Sequence, residues 1–264
     1  MERINERFYP MIMKRKSFHL FQGVKKEPIS QEEMKSIYDA YKEFVPLDPD
    51  IRTEIKIVPA SEANCARGEE YCILMYSENK NNSLQNIGYI GEQLDLYLVS
   101  RNIGTLWYGM GKPELTRCNG LDFVIMIAIS KVADERKFRK DMFKARRKER
   151  SEIWHGEELE PVSDIVRFAP SACNTQPWLV EHTGRELKLF RYKKPGRRGI
   201  LPMAKISFYN RIDIGIFMCF LELCLAHEGI GFERECYADD GSDSEKTFAA
   251  VYRLDQADVG ASDF

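Results

Sequence analysis

The sequence has few of the residues that mark metal proteins or disulfide scaffolds. Its 264 residues include only four histidines and seven cysteines, and no two cysteines form a Cys-x-x-Cys pair. The common zinc-ligand spacings are therefore missing, and no metal site is predicted. A disulfide framework is not expected in a chain of this size. We therefore expect reduced thiols and a cytoplasmic protein.

The sequence also has no long apolar run and no large charge excess. Its most apolar segment, residues 214–226, is interrupted by Glu222, whereas a membrane-spanning helix needs about 20 apolar residues. The N-terminal residues have acids before bases and do not resemble a signal peptide. Lys and Arg total 39 and Asp and Glu total 41, and a nucleic-acid binder needs a clear basic excess. Neither a membrane nor a nucleic-acid partner is expected.

Apolar residues make up 44% of the chain, which is enough for a packed core. The apolar spacing predicts helices and strands in alternation. Ser30 followed by glutamates predicts a capped helix start, and Pro170 predicts a helix end. The predicted helices cover residues 2–16, 31–45, 82–102, 160–169 and 211–227; the predicted strands cover residues 55–59, 71–76, 123–129, 179–181, 187–192 and 247–254.

The two long helices indicate an internal repeat. Residues 86–104 and 211–231 both carry an apolar face, end in an Ile-Gly pair and precede a strand. We interpret this as a tandem duplication with halves at residues 1–135 and 136–264. The alternative is two unrelated helices that both end in glycine. Between the halves, residues 136–150 hold nine Lys or Arg and two acids. This stretch is predicted to be a solvated linker helix, with an anion-binding patch as the alternative.

Three segments could bind a ligand. Residues 168–178, FAPSACNTQPW, place a serine hydroxyl and two side-chain amides in a short loop between a helix and a strand. Such a loop is better suited to binding a polar heteroaromatic ring than to acid–base catalysis. The alternative is a turn whose Ser, Asn and Thr side chains hydrogen-bond to one another. Residues 14–17, KRKS, suit an oxyanion. Residues 104–111, GTLWYGMG, let the backbone approach a flat ligand.

Together the three segments resemble the flavin-dependent nitroreductase superfamily. Residues 170–178 resemble its Pro-Ser-x-x-Asn-x-Gln-Pro-Trp segment, residues 15–17 its Arg-Arg-Ser segment, and residues 107–109 the segment beside the flavin. Members are usually homodimers with FMN at the interface. Here the motifs lie in different halves, and residues 44–49, FVPLDP, lack the Ser and Asn of the loop. The resemblance implies the single-chain branch: an α+β fold of two homologous halves that form an intramolecular pseudo-dimer, with mainly antiparallel sheets flanked by helices.

The resemblance also implies the cofactor site. Arg15 and Ser17 would hold the FMN phosphate with help from Arg147 and Lys148, and the Gly109 N–H would approach flavin N5. His19 stands where many members have Lys or Arg, so this side of the site would be less positive at neutral pH. The full expected set is Arg15, Lys16, Ser17, His19, Trp107, Tyr108, Gly109, Met110, Arg147, Lys148, Pro170, Ser171, Ala172, Asn174 and Gln176.

The implied activity is FMN-dependent oxidoreduction. NAD(P)H would deliver electrons through FMN to a nitroaromatic or quinone-like small molecule by a ping-pong mechanism, and no side chain is expected to act as a nucleophile. The internal pseudo-dimer allows a monomer. Two alternatives remain open: a non-catalytic flavin-binding protein, and a flavin-free interaction module that uses the basic stretch as its surface.

Overall fold

A computed structural model describes residues 4–142, 144–193, 202–242 and 244–255. These residues form two sheets and two long helices that pack against each other, with shorter helices around them. The helices are α1 (Tyr9–Lys14), α2 (Gln31–Lys42), α3 (Ser83–Ser100), α4 (Arg150–Ile153), α5 (Val162–Val166) and α6 (Met203–His227). The strands are β1 (Lys26–Glu27), β2 (Thr53–Pro59), β3 (Tyr71–Ser77), β4 (Ile103–Tyr108), β5 (Arg117–Cys118), β6 (Leu121–Val132), β7 (Trp154–Gly156), β8 (Trp178–Thr183), β9 (Glu186–Tyr192), β10 (Phe232–Cys236) and β11 (Lys246–Leu254).

The strands pair almost entirely in antiparallel fashion. In the first sheet β6 pairs with β1, β3, β4 and β5, and β2 lies outside β3. The second sheet has the order β10-β11-β9-β8-β7, and only the pair β7 with β8 is parallel. The predicted α+β class with mainly antiparallel sheets and flanking helices is confirmed.

The same order of elements occurs twice. In the first half it is α2, β2, β3, α3, β4 and β6; in the second it is α5, β8, β9, α6, β10 and β11. The two long helices end alike, since Asn102 and Gly229 both have a positive φ (58° and 66°) and lie 127 positions apart. This repeated order supports the predicted duplication. The boundary between residues 135 and 136 stays a prediction.

Several predicted boundaries hold and several do not. Ser30 and Glu33 form the expected capping box at the start of α2. Helix α1 is shorter than predicted, because residues 6–8 form a 3₁₀ turn before it. The expected helix at 160–169 covers only Val162–Val166. Helix α3 ends at Ser100. The left-handed conformation that often follows a helix end is adopted by Asn102 and not by a glycine.

The helix predicted for the stretch that links the two halves does not form. The basic stretch 136–150 is mostly irregular rather than a linker helix. Its cations repeat at a spacing of four, which places like charges together on a helix and destabilises it. Strands β4 and β10 were not predicted, since glycine and charged residues interrupt their apolar pattern.

Helices α3 and α6 touch backbone to backbone at two glycines. A Cβ on Gly88 would lie 2.0 Å from the Ile212 carbonyl oxygen, and one on Gly215 would lie 1.9 Å from that of Gln85. Gln85 lies three positions before Gly88, and Ile212 lies three positions before Gly215. Each residue of the α3 pair lies 127 positions before its counterpart in α6. The contact is therefore reciprocal, as it is across a two-fold axis. No helix in the described part of the chain is long and apolar enough to cross a membrane.

We expect Gly88→Ala and Gly215→Ala each to destabilise the protein by at least about 3 kcal/mol, because the new methyl group would meet backbone that cannot rotate away. Urea unfolding measures this difference. Gly184→Ala is the control: Gly184 has φ 58° and open space around it, so its substitution costs only about 1–2 kcal/mol of left-handed strain. Equal losses in all three variants would contradict the close helix crossing.

Candidate functional site

The segment after α1 brings Arg15 into the interior beside β4. Ser17 forms a single parallel bridge with Thr105 of that strand. Arg15 is 5% exposed, and its Nε donates to Asp95 Oδ2 on α3 at 2.8 Å. Its Nη2 is buried and has no hydrogen-bond partner among the described residues. His19, in contrast, is exposed.

Asp95 organises this side of the site. Its carboxylate also accepts from Thr105 Oγ1 at 2.6 Å and from Trp107 Nε1 at 2.9 Å, so it holds Trp107 and Arg15 together. Glu92 lies one turn earlier on α3, with Oε1 3.3 Å from Arg15 Nε. Burial and the charge of Asp95 raise the pKa of Glu92 well above its ordinary value. Arg15 is therefore bonded to Asp95 on one side and has one nitrogen left for another acceptor.

The end of β4 meets the N-terminal part of α6. Tyr209 on α6 donates its hydroxyl to the Gly109 carbonyl. A Cβ on Gly109 would lie 2.5 Å from the Tyr209 ring, so glycine is required there by close approach. Gly109 and Met110 are exposed, whereas Tyr108 is half-buried. This contact links the predicted flavin segment of the first half to the second half.

The loop at 170–176 is held in a demanding conformation. Pro170 is buried, and Ser171 Oγ accepts the Gln176 N–H at 2.9 Å, which closes the loop. Cys173, Asn174 and Gln176 have φ values of 50°, 55° and 50°. Residues with a Cβ adopt this left-handed region at an energetic cost, and such strain concentrates at functional sites.

The chain at 146–148 lies against this loop. Arg147 Nη1 donates to Asn174 Oδ1 at 3.1 Å, and Asn174 Nδ2 donates to the Arg146 carbonyl at 3.0 Å. The Lys148 N–H donates to Gln176 Oε1 at 2.8 Å, and Lys148 Nζ to the Gln176 carbonyl at 2.7 Å. The two segments predicted to share the site are therefore in direct contact. Lys148 is 4% exposed, and its ammonium bonds to the loop backbone.

Four guanidinium groups converge where the two halves meet. Burial, followed by the charges of Arg15, Arg139 and Arg167, lowers the pKa of Arg147 to about 10. Burial and then the charge of Arg15 lower the pKa of Arg139. Nε of Arg147 and Nε of Arg167 are buried without a hydrogen-bond partner among the described residues, as is Nη2 of Arg15. Like charges with unsatisfied donors make a site for an anion with several oxygens.

Lys16 extends this basic cluster. Burial and the charges of Lys137 and Arg139 lower its pKa. Its Nζ donates to the Lys137 carbonyl at 2.7 Å and lies 4.8 Å from the Phe18 ring centroid. Part of the stretch 136–150 therefore places positive charge beside Lys16 and Arg15, and its role in binding an anion stays a prediction.

Sequence reasoning missed Asp213, Tyr209, Arg139 and Arg167. Asp213 on α6 is 3% exposed, and its Oδ1 accepts the Ala172 N–H at 2.9 Å, while Oδ2 has no partner in the described part of the chain. Burial raises the pKa of Asp213 to about 8. The available signal was an acid inside an apolar helix, which favours either a paired or a functional group.

The equivalent position in the first half is Asn86, 127 residues earlier. Its Oδ1 accepts the N–H groups of Leu47 (2.8 Å) and Asp48 (3.2 Å), in the segment that replaces the Ser- and Asn-containing loop. A cavity of about 560 Å³ lies at this segment and borders none of the predicted flavin residues. Its lining has four acids and two bases, so it lacks the basic excess of the arginine cluster: Asp48, Asp50, Asp239 and Asp240 against Lys80 and Arg211.

The fold is that of the nitroreductase class of α+β proteins. A putative nitroreductase from Thermotoga maritima is similar over 96% of this chain and 94% of its own, with 18% identity and a TM-score of 0.56. The chain belongs to the family described as "Putative TM nitroreductase", whose model matches residues 7–225. The nitroreductase-like fold implied by the sequence is confirmed.

Other solved structures match about half of the chain. A putative NADH dehydrogenase/NAD(P)H nitroreductase from Parabacteroides distasonis covers 58% of this chain and 99% of its own, with 15% identity and a TM-score of 0.44. A putative nitroreductase in complex with FMN from Desulfovibrio desulfuricans covers 58% and 97%, with 16% identity and a TM-score of 0.43. No curated protein matches the sequence.

We expect Asp213→Asn to become more stable than the wild type as the pH rises. The folded protein holds the Asp213 proton up to about pH 8, against an ordinary pKa of 3.8. The protonated Asp213 carboxyl therefore contributes fully to the unfolding free energy below pH 4, and this contribution is lost between pH 4 and 8. An amide loses nothing over this range, so the difference in unfolding free energy should grow by up to about 1.4 kcal/mol per pH unit.

Chemical denaturation at several pH values measures this difference. Asp240→Asn is the control, because hydrogen bonds from Ser242 lower the pKa of Asp240, so this substitution should give no advantage that grows with pH. A constant difference between Asp213→Asn and the wild type from pH 4 to 8 would show that Asp213 is ionised throughout.

Proposed function

We propose that this chain binds one FMN between its two halves and acts as an NAD(P)H-dependent reductase of nitroaromatic or quinone-like small molecules. The observation that carries the proposal is the cluster of four arginines beside the loop at 170–176, three of which have a buried nitrogen without an acceptor among the described residues. When bound, FMN would supply the electron-transfer chemistry. The protein would bind it, orient it and exclude water.

The basic cluster fits the FMN phosphate. Arg15 Nη2, Arg147 Nε and Arg167 Nε are buried donors that lack acceptors among the described residues. A dianionic phosphate would satisfy them and offset the repulsion that lowers the pKa of Arg147. Ser17 lies two residues after Arg15 on the segment beside β4, where a hydroxyl could add a further donor.

The polar loop and the end of β4 fit the rest of the cofactor. The loop at 170–176 is fixed by its bond from Gln176 to Ser171 and by the Asp213 carboxyl under Ala172. The amides of Asn174 and Gln176 are hydrogen-bonded within the protein and fix the shape of the loop. The Ser171 hydroxyl accepts from the Gln176 N–H and keeps its own proton, which it could donate to a ribityl oxygen or a ring edge. Gly109 and Met110, directly after β4, are exposed. Trp107 is positioned by Asp95 behind them.

We expect Arg147→Gln to weaken FMN binding by about 10- to 100-fold, since one charge-assisted hydrogen bond contributes about 1.5–3 kcal/mol. Titration of FMN followed by quenching of flavin fluorescence measures the affinity and the stoichiometry. Arg136→Gln is the matched control, because Arg136 is 83% exposed and pairs with Asp134 at the surface.

Unchanged affinity in Arg147→Gln would contradict the phosphate site. A stoichiometry of two FMN per chain would contradict the single site between the halves. A protein that takes up no FMN at all would favour the interaction module, and FMN binding without NAD(P)H oxidation would favour the non-catalytic flavin protein.

We also expect steady-state kinetics of the ping-pong type. If NAD(P)H and the acceptor use the same binding site, the oxidised nicotinamide must leave before the acceptor can bind. Initial rates with varied NADPH or NADH and varied nitroaromatic should then give parallel double-reciprocal lines. Intersecting lines would show that both substrates are bound together, and would require a second binding surface.

A further inference from the structure

Three residues with metal-binding side chains meet inside the first half. The ligand atoms of Cys65, Glu69 and Cys72 all lie within 4.8 Å of one another. The residues are 3%, 7% and 0% exposed, so the cluster is shielded from solvent. It belongs to the apolar core around Phe18 and Phe21, away from the core that contains α6 and the loop at 170–176.

A short turn brings the three side chains together. Cys72 is the second residue of β3, and Cys65 lies in the turn that precedes the strand. Ala66 and Gly68 have φ values of 55° and 80°, and these left-handed residues fold the chain back so that Glu69 approaches Cys72. The Phe21 N–H donates to the Arg67 carbonyl at 2.8 Å and ties the turn to the N-terminal segment.

Glu69 is a buried acid without a cationic partner. One carboxylate oxygen accepts the Arg67 N–H at 2.7 Å, and the other lies 3.9 Å from the Cys72 sulfur. Among the described residues, no Lys, Arg or His forms an ion pair with Glu69. A buried carboxylate is costly unless a cation or a metal balances it. The hydrogen bond from the Arg67 N–H to one carboxylate oxygen would orient Glu69 as such bonds orient metal-binding carboxylates.

We propose that Cys65, Glu69 and Cys72 bind one Zn²⁺ ion per chain, at a site separate from the flavin site. Two sulfurs and one carboxylate oxygen are a donor set that zinc prefers, and three protein ligands leave the fourth tetrahedral position for water. The two thiols lose their protons to solvent as the two Zn–S bonds form, while Glu69 binds as the carboxylate. No electron is transferred.

The protonation of the thiols sets the pH dependence. A cysteine sulfur binds zinc as the thiolate, so each thiol gives up one proton when its Zn–S bond forms. Zinc must displace these protons, and its apparent affinity should therefore rise with pH. Glu69 and Cys65 are the groups that face Cys72.

The site would also stabilise the segment that follows β4. Ala63 bridges to Pro113, and the Asn64 N–H donates to the Lys112 carbonyl. The Arg67 guanidinium lies 5.5 Å from the Tyr108 ring centroid. A metal that fixes the turn at 65–69 would therefore fix the chain beside Gly109, without contacting the flavin site itself.

The test is a zinc titration of the purified chain after treatment with a metal chelator and a phosphine reductant. A chromophoric chelator competes for Zn²⁺ and reports affinity. We expect one Zn²⁺ per chain in the wild type, and affinity at least about tenfold weaker in Cys65→Ser, Cys72→Ser and Glu69→Gln. Cys118→Ser is the matched control, because Cys118 also contacts a carboxylate at 3.9 Å but has no second thiol beside it.

Cobalt gives a second readout that does not depend on affinity. Co²⁺ should produce a thiolate-to-metal charge-transfer band of equal strength in the wild type and in Cys118→Ser, and a clearly weaker band in Cys72→Ser, which keeps only one of the two thiolates. If a serine variant fails to fold, Glu69→Gln retains both thiols and decides the question. Zinc binding that is absent from the reduced wild type, or equal in Glu69→Gln and the wild type, overturns the proposal. A Cys65–Cys72 disulfide in protein that takes up no zinc once reduced would show a redox pair instead.

Discussion

The backbone contact between α3 and α6 is the constraint on which the arrangement of the two halves depends. Because Gly88 and Gly215 carry no Cβ, the helices approach so closely that each glycine meets a carbonyl oxygen of the other helix. The two contacts are equivalent under a shift of 127 residues, which is the reciprocity of a two-fold interface. Both helices are buried along nearly all of their length. Their polar side chains must therefore find partners inside the protein.

The two buried carboxylates at equivalent positions show how the halves differ. Asp95 and Glu222 lie 127 positions apart, and each accepts several hydrogen bonds. Asp95 binds Arg15 and Trp107 and so holds groups of the proposed flavin site. Glu222 instead accepts from Tyr89, Tyr252 and Arg234, and Arg234 donates onward to the Leu47 carbonyl. The 44–49 segment of the first half is thereby held by Arg234 of the second half, as well as by Asn86 of its own half, which supports a single flavin site in the chain.

The sequence predicted what depends on local periodicity and on rare residue patterns. The long helices and the buried strands follow from apolar spacing, and the loop at 170–176 was found because its polar residues have a fixed order. The ends of α1 and α5 and the strands β4 and β10 were not predicted. Glycine, proline and charged residues interrupt the regular spacing of apolar residues there. Asp213, Arg139 and Arg167 were missed for another reason: their roles depend on partners from distant segments, such as Ala172 under Asp213. The pair Cys65 and Cys72 was missed because a gap of six residues matches no common zinc spacing.

Unbalanced charge is the feature that the two proposed sites share. The arginine cluster carries an excess of positive charge and buried N–H groups without acceptors, while Glu69 is a buried negative group beside two thiols. Neither arrangement improves the stability of the empty protein, because repulsion and lost hydration both oppose folding. Each becomes favourable when a ligand of opposite charge binds to the folded state alone. The signs decide the ligands: oxygens of an anion at the arginines, and a thiolate-binding cation at Cys65 and Cys72. Because Arg67 of the turn at 65–69 lies over the Tyr108 ring, a cation bound at this turn would steady the end of β4, which the proposed flavin site also uses.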